Sequence, residues 1–379
     1  MSFSQPALHV IPFPNTPDAS AESEIIFSSL RPSDPAGEPV VTGSSSGVHD
    51  GHLVLLPDDA GTEFLLAQPF TPGEKVAVRA LLNSSQAGTA SGDFGSRSLT
   101  WSFTIASPPP SATPTTSPAA AHAHGSSGGH RTFQSEPDLQ PPPVHVSEGP
   151  APGPEDIFAS PRSQALFAPT SQPSDAQSGP MILSPRGQLL WFDPLGGNLV
   201  AFNLEVQTYH GRPVLTWWQG YPGEVGQDVV MSASYRRVAV LGTAWGYRPD
   251  LHEFQITPQG TALRAVTVTV KANLSSIGGP VSGLVVDHVI QEVDIHTGQV
   301  LWEWHALGHV PLTAAYSPRD RTPFDAYHLN SIQQLPGHKL LISLRSTWAV
   351  YEIDELTGRV IWTLGGKRSS FRMGSGTAF

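Results

Sequence analysis

Short runs of alternating apolar and polar residues, cut by clusters of Gly, Pro, Asp and Ser, dominate both ends of the chain. In the N-terminal part these runs are Glu24-Ile25-Ile26-Phe27, Pro39-Val40-Val41, His52-Leu53-Val54-Leu55-Leu56, Glu63-Phe64-Leu65-Leu66, Lys75-Val76-Ala77-Val78-Arg79 and Leu99-Thr100-Trp101-Ser102-Phe103-Thr104-Ile105. Alternation places successive side chains on opposite faces of a sheet. Six such strands in roughly 100 residues predict an immunoglobulin-like β-sandwich over residues 1–105. The turn Phe70-Thr71-Pro72-Gly73-Glu74, leading into the Lys75 strand, fits that reading.

The alternation returns from Gly179 onward, now with a repeat. Gly187-Gln188-Leu189-Leu190-Trp191, Gly298-Gln299-Val300-Leu301-Trp302 and Gly358-Arg359-Val360-Ile361-Trp362 share one pattern. Their positions fit a unit of roughly 55 to 60 residues with one degenerate copy between the first two. A Pro/Gly turn entering an apolar strand also recurs, at Pro185-Arg186-Gly187, Pro258-Gln259-Gly260 and Pro336-Gly337-His338. Four-stranded units with a Trp at a fixed place predict β-propeller blades, and the Asp294…Thr297-Gly298 and Asp354…Thr357-Gly358 turns would join their outer strands. Residues 179–379 suffice for about four blades, so the expectation is an incomplete propeller. The last residues, Gly374-Ser375-Gly376-Thr377-Ala378-Phe379, supply no closing strand, which reads as a C-terminal truncation.

Between these parts the pattern collapses. Residues 106–130 consist mainly of Pro, Ser, Ala, Thr, Gly and His. Such a composition cannot bury enough apolar surface to offset its ordering entropy, and a disordered linker is expected. Its His122, His124 and His130 are read as incidental, with no metal assigned. Residues 131–178 stay Pro-rich, as in Gln140-Pro141-Pro142-Pro143-Val144, but carry the apolar residues Phe133, Ile157, Phe158 and Phe167. They are expected to run extended across the following domain. The fold class is therefore all-β.

Composition narrows the function. The 36 Gly and 37 Pro, with only 14% charged residues, agree with strands and turns. A net charge of −11 without a Lys/Arg cluster argues against nucleic acid as a partner. Zero Cys excludes disulfides, thiolate metal sites and Cys nucleophiles. No apolar run approaches the roughly 18 to 20 residues needed to span a bilayer. The opening Met1-Ser2-Phe3-Ser4-Gln5-Pro6 shows no secretory signal.

The stretch Ala326-Tyr327-His328-Leu329-Asn330-Ser331-Ile332, followed by Leu341-Ile342-Ser343-Leu344-Arg345, carries the candidate chemistry. It sets an imidazole and a guanidinium on β-like segments joined by a turn, a pair suited to an anion. Asn330, two residues after His328, is expected on the same side of its strand as a further donor. His252, in Asp250-Leu251-His252-Glu253-Phe254, is a third candidate, because loops and strand ends converge at one face of a propeller channel. Against this stands a structural reading, in which the histidines tie blades together and Arg345 pairs with an acid. His305 and His309 are expected to be structural, His288 and His338 to lie at the surface, and Trp217-Trp218 to pack between blades.

The segments Leu215-Thr216-Trp217-Trp218-Gln219-Gly220, Asp250-Leu251-His252-Glu253-Phe254, Val289-Ile290-Gln291-Glu292-Val293-Asp294, His328-Leu329-Asn330-Ser331-Ile332, Thr347-Trp348-Ala349-Val350-Tyr351 and Leu364-Gly365-Gly366-Lys367-Arg368 occur in an order that resembles the arylsulfotransferase family. The similarity covers about residues 131–379, and the sandwich resembles one preceding the propeller in some members. The resemblance implies a six-bladed ring that moves a sulfuryl group from an aryl sulfate donor to a phenolic acceptor through a sulfated histidine, without a nucleotide or other cofactor. It further implies that His252, His328 and Arg345 grip the sulfuryl oxygens, and that the protein works outside the cell or in its envelope. In relatives the sulfated histidine follows the Leu-Gly-Gly-Lys motif in a Trp-Gln-His-like segment. Here the sequence reaches Phe379 first, so these 379 residues are expected to be inactive or nearly so. A non-catalytic propeller that binds a ligand or serves adhesion is the alternative. A quinone-dependent dehydrogenase fares worse, lacking both an acidic calcium cluster and a vicinal Cys pair.

Overall fold

The N-terminal period-two runs fold into two antiparallel sheets. The structure, a computed structural model, describes residues 9–28, 35, 37–57, 61–83, 96–107, 138–144, 153–161, 176–196, 199–222 and 225–374. Strands β1 (His9–Ile11), β2 (Ile25–Ser28), β3 (Val40–Gly43), β4 (Gly47–His49), β5 (Gly51–Leu55), β6 (Gly61–Leu66), β7 (Lys75–Asn83) and β8 (Ser96–Thr104) pair in the orders β1-β2-β6-β5 and β4-β3-β7-β8. Ile25, Phe27 and Phe64 of the first sheet and Val41, Val76, Val78, Trp101 and Phe103 of the second form one buried cluster, which makes the pair a sandwich. The three-residue strands β1 and β4 escaped prediction because they are too short to show a period.

By contact the chain divides into two units, Met1–Ser111 with Ala244–Tyr247 and Thr261–Phe379, and Ala112–Thr243 with Arg248–Gly260. The low-complexity tract, with His122, His124 and His130, lies outside the described residues, as do Phe133 and Phe167.

In the second unit β9 (Ile157–Ala159), β10 (Met181–Leu183) and β11 (Leu189–Phe192) form one sheet, with Ile157 and Phe158 supplying an edge strand from the Pro-rich segment. Leu139 and Val144 pack beside Met181 and Leu183. A four-stranded meander follows: β12 (Val200–Tyr209), β13 (Arg212–Tyr221), β14 (Val225–Ser232) and β15 (Arg237–Leu241). The last strand of the unit, β16 (Arg248–Ile256), is tied to this meander by side chains: Gln207 donates to the Phe254 carbonyl at 2.8 Å and accepts from the Ile256 N–H at 2.7 Å. Trp218 Nε1 donates to the Pro249 carbonyl at 3.0 Å. Both Trp217 and Trp218 are buried inside this unit.

The first unit continues with β17 (Thr261–Ala272), β18 (Gly283–Asp294) and β19 (Val300–His305), with the short β20 (Phe324–Asp325) parallel to β18. A second meander contains β21 (Leu329–Leu335), β22 (Lys339–Leu344), β23 (Ala349–Asp354) and β24 (Val360–Gly365). The outer hairpins are closed by the two Asp…Thr-Gly turns: Thr297 N–H donates to Asp294 Oδ1 at 2.6 Å and Thr357 N–H to Asp354 Oδ1 at 2.9 Å. Gly298 (φ 76°) and Gly358 (φ 68°) occupy the left-handed positions that a Cβ would strain.

The repeat is a bulge. In each outer hairpin the register slips by one residue beside the strand's first position, at Leu189, Arg237, Val300 and Val360. Beyond the slip, Trp191, Trp302 and Trp362 face Ile182, Glu292 and Glu352, while Ala239 faces Val230. Ala239 therefore marks the degenerate copy. Trp302 and Trp304 then tie β19 to the neighbouring β23–β24 turn, donating to the Glu355 carbonyl at 2.9 Å and the Gly358 carbonyl at 2.8 Å. Among the described residues no helix is long and apolar enough to cross a membrane.

Candidate functional site

His328 stands at the entry to β21 with φ 55°, in the left-handed region that side chains rarely adopt. Two backbone hydrogen bonds hold it there. The Arg345 N–H donates to the His328 carbonyl and the Ser346 N–H to the Tyr327 carbonyl, both at 2.9 Å. Tyr327, fully buried, anchors the loop by donating its hydroxyl to the Val310 carbonyl at 3.0 Å. The segment before β21 and the turn after β22 are thus one piece of structure, and His328 and Arg345 share it.

Asp325, from β20, organises the imidazoles. Its Oδ2 lies 2.5 Å from His328 Nδ1 and its Oδ1 3.2 Å from His288 Nε2. His288 Nδ1 accepts the Leu329 N–H at 3.2 Å, which leaves the proton on Nε2 to be donated to Asp325. Arg345 Nη2 is 3.3 Å from His328 Nδ1. Nδ1 cannot both donate to Asp325 and accept from Arg345, and the shorter contact decides the tautomer: Nδ1–H points at Asp325, which leaves Nε2 as the ring nitrogen not committed to that carboxylate. Burial would raise the Asp325 carboxyl, but the hydrogen bonds and charges of His288 and His328 outweigh it and hold the group well below the usual carboxylate range. Two imidazole nitrogens and a carboxylate within 4.8 Å of one another are also a donor set for a metal ion, although here each Asp325 oxygen accepts from an imidazole N–H.

His288 corrects an expectation. It is 3% exposed, not at the surface, because β18 is covered on both sides and its period-two signal is lost. Neither it nor Asp325 was anticipated; the only signal was an acid three residues before His328. Asn330 is exposed, and the alternation from His328 does not reach it: His328 lies outside the strand, and the register slips between Leu329 and Ser331. His338 is exposed at its turn, as expected. His305 is buried among acids, and His309 stacks on Trp304 with ring centroids 5.2 Å apart. His252 belongs to the other unit, where its Nδ1 lies 2.6 Å from Asp250 Oδ1 and its N–H donates to the same oxygen at 3.0 Å.

Beside Arg345, the aromatic rings of Trp348 and Tyr316 stack with centroids 4.4 Å apart, and Lys367 Nζ sits 4.5 Å from the Tyr316 centroid. Trp348 is 53% exposed. An aromatic face, two cations and an oriented imidazole thus come from residues 316–367.

Residues 205–379 match the family described as Arylsulfotransferase (ASST). This stretch belongs to the arylsulfotransferase family. The match begins later than the resemblance traced from residue 131, and it takes in His252, His328, Asn330 and Arg345. Among solved structures the chain is similar to a protein of unknown function from Bacteroides caccae, at 16% identity with a TM-score of 0.31, over 50% of this chain and 54% of that one. The chain thus spans about half the length of that protein. No curated protein matches the sequence.

Proposed function

We propose that Asp325, His328 and Arg345 handle the sulfuryl group of an aryl sulfate, and that the protein's reaction passes this group to a phenolic acceptor. The observation that carries the reading is an imidazole anchored by Asp325 at 2.5 Å, beside the Arg345 guanidinium, within the arylsulfotransferase stretch. In the transfer the bond between sulfur and the aryl oxygen breaks, the electron pair leaves with the phenolate, and sulfur bonds to the incoming nucleophile. Charge on the three sulfuryl oxygens calls for a cationic, hydrogen-bonding surround. The Arg345 fork suits those oxygens. His328, with Nδ1–H committed to Asp325, presents Nε2, which in the imidazolium form would give its proton to the departing oxygen and leave the neutral ring with Nδ1–H on Asp325.

On the family route the group rests on a histidine between donor and acceptor. In this reading His328 and Arg345 serve the group in transit rather than receive it. The exposed Trp348 face offers a place for the aryl ring. The sandwich is read as an immunoglobulin-like spacer, the repeated sheets as propeller blades, and the site of action as the cell envelope or exterior.

Binding tests this without requiring turnover. Titration of the 379-residue chain with 4-nitrophenyl sulfate should show R345A and H328A each weakened about tenfold or more, the loss of one charge-assisted hydrogen bond. Undiminished binding by R345A would overturn the assignment.

A further inference from the structure

A second cluster lies in the same unit, away from solvent. Asp18, in the loop between β1 and β2, meets Asp287 of β18 and His305 at the end of β19. Their relative exposures are 2%, 0% and 2%, and that of neighbouring Glu303 is 1%. The donor atoms of Asp18, Asp287 and His305 lie within 4.8 Å of one another. His305 Nδ1 is 2.8 Å from Asp287 Oδ2 and 3.3 Å from Asp18 Oδ1, while Nε2 is 3.3 Å from Glu303 Oε1. Asp287 Oδ1 is occupied by the Leu307 N–H at 2.8 Å, which turns Oδ2 toward Asp18.

Asp18 is the unresolved partner. Both its carboxylate oxygens are buried without a hydrogen-bond partner, and the imidazole nitrogen near them, His305 Nδ1 at 3.3 Å from Oδ1, lies closer to Asp287 Oδ2 at 2.8 Å. A carboxylate stripped of water needs donors or a cation. Charge counts agree. Asp18, Asp287 and Glu303 bring three negative charges, and Arg264 donates at 3.0 Å to Gln291, which contacts Glu303 at 3.5 Å. A dication and a neutral imidazole would balance the set, with Arg264 counted.

We propose that Asp18, Asp287 and His305 bind a divalent transition-metal ion, with Glu303 orienting the ring. Placing the proton on Nε2, toward Glu303, leaves the Nδ1 lone pair for the ion. This is the carboxylate–histidine–metal arrangement by which second partners fix a ligand tautomer. One imidazole with two carboxylates suits zinc better than calcium or magnesium, which prefer oxygen alone. The ion would be structural. Asp18 sits on a loop bound to the sandwich, the Ala19 N–H donating to the Thr104 carbonyl at 3.0 Å, whereas Asp287 and His305 belong to the β17–β19 sheet. One ion would therefore clip the sandwich to that sheet.

The test uses the full 379-residue chain without an affinity tag, stripped with EDTA and dialysed against zinc chloride. Wild type should retain one equivalent of zinc more than D18N, since zinc on the His122, His124 and His130 tract is common to both. Its Tm should rise by about 5–10 °C at a hundredfold excess of zinc over Kd. E303Q keeps all three ligands and should bind zinc about tenfold more weakly, which preserves the test where D18N fails to fold. Equal zinc content in wild type and both variants, or a wild-type Tm that does not respond to zinc, would overturn the proposal.

Discussion

The backbone N–H of Arg345 donates to the carbonyl of His328 at 2.9 Å, so the two candidate anion-binding side chains are fixed by the main chain before their own side chains meet. Arg345 opens a one-turn 3-10 segment, Arg345–Thr347, that ends at Trp348 in the left-handed conformation. His328 is itself left-handed. Two turns in strained backbone, pinned to one another, hold an arrangement that neither strand alone would produce.

Asp325 should be the least replaceable member of the site. Each of its oxygens takes one imidazole N–H, and an Asn would offer one acceptor and turn its amide N–H₂ toward the other donor. D325N is expected to lose about 1–3 kcal/mol of stability and to bind 4-nitrophenyl sulfate more weakly. Because the Asp325 carboxyl titrates below its unfolded value, its contribution is present above pH 3.8 and is lost as pH falls below that. The Tm gap between D325N and wild type should therefore hold through neutral pH and close only in acid.

Arg345→Lys separates charge from geometry. A lysine keeps the positive charge and the backbone N–H that holds His328, but not the planar fork. Titration should give an affinity for aryl sulfate lower by about tenfold with Tm unchanged. Full affinity in the lysine variant would assign Arg345 a purely Coulombic role.

Much of this fold was legible because its strands are half-buried. Period two marks six strands of the sandwich, and the Gly…Trp repeat marks bulged outer hairpins whose common register explains the motif. The site was legible only in part. His328 and Arg345 stood out as polar residues at strand ends, but the contacts that make them a unit are tertiary. Asp325 lies on a two-residue strand paired in parallel to β18, and His288 lies on a strand buried on both faces, where apolar and polar positions no longer alternate. Asn330 misled because alternation presumes an unbroken strand, and a bulge intervenes. The Asp18 cluster left no sequence signal, since its members come from segments far apart in the chain.

Trp348 tests whether the aromatic face takes the aryl ring. With φ 53° and 53% exposure, it can be replaced by Gly without backbone strain. W348G should bind 4-nitrophenyl sulfate about fivefold more weakly, the loss of one stacking contact, while its affinity for inorganic sulfate stays at the wild-type value. Equal losses for both ligands would place Trp348 in support of Arg345 rather than against the ring.

Glu63 should give the first unit a stability that falls as pH rises. The residue is 2% exposed, and burial, only partly offset by a hydrogen bond from the Gln299 amide, pushes its carboxyl up to about 7. A folded-state value above the unfolded one means that folding takes up a proton, so the protonated form is the stabilising one. Its benefit is complete below pH 4.5 and is lost as pH rises through 7. Glu24, likewise pushed up to about 7 chiefly by burial, adds to the same slope. His9 acts in the other direction: burial and then His338 lower it to about 4, so its contribution is lost as pH falls from 6.5 toward that value. E63Q keeps the size of the side chain and removes the titration. Urea unfolding should show E63Q more stable than wild type by about 1–3 kcal/mol at pH 8 and nearly equal at pH 5. The variant should retain a shallower slope from the other buried carboxyls, Glu24 and Glu355 among them, whereas parallel curves for the two proteins would show that Glu63 takes up no proton on folding.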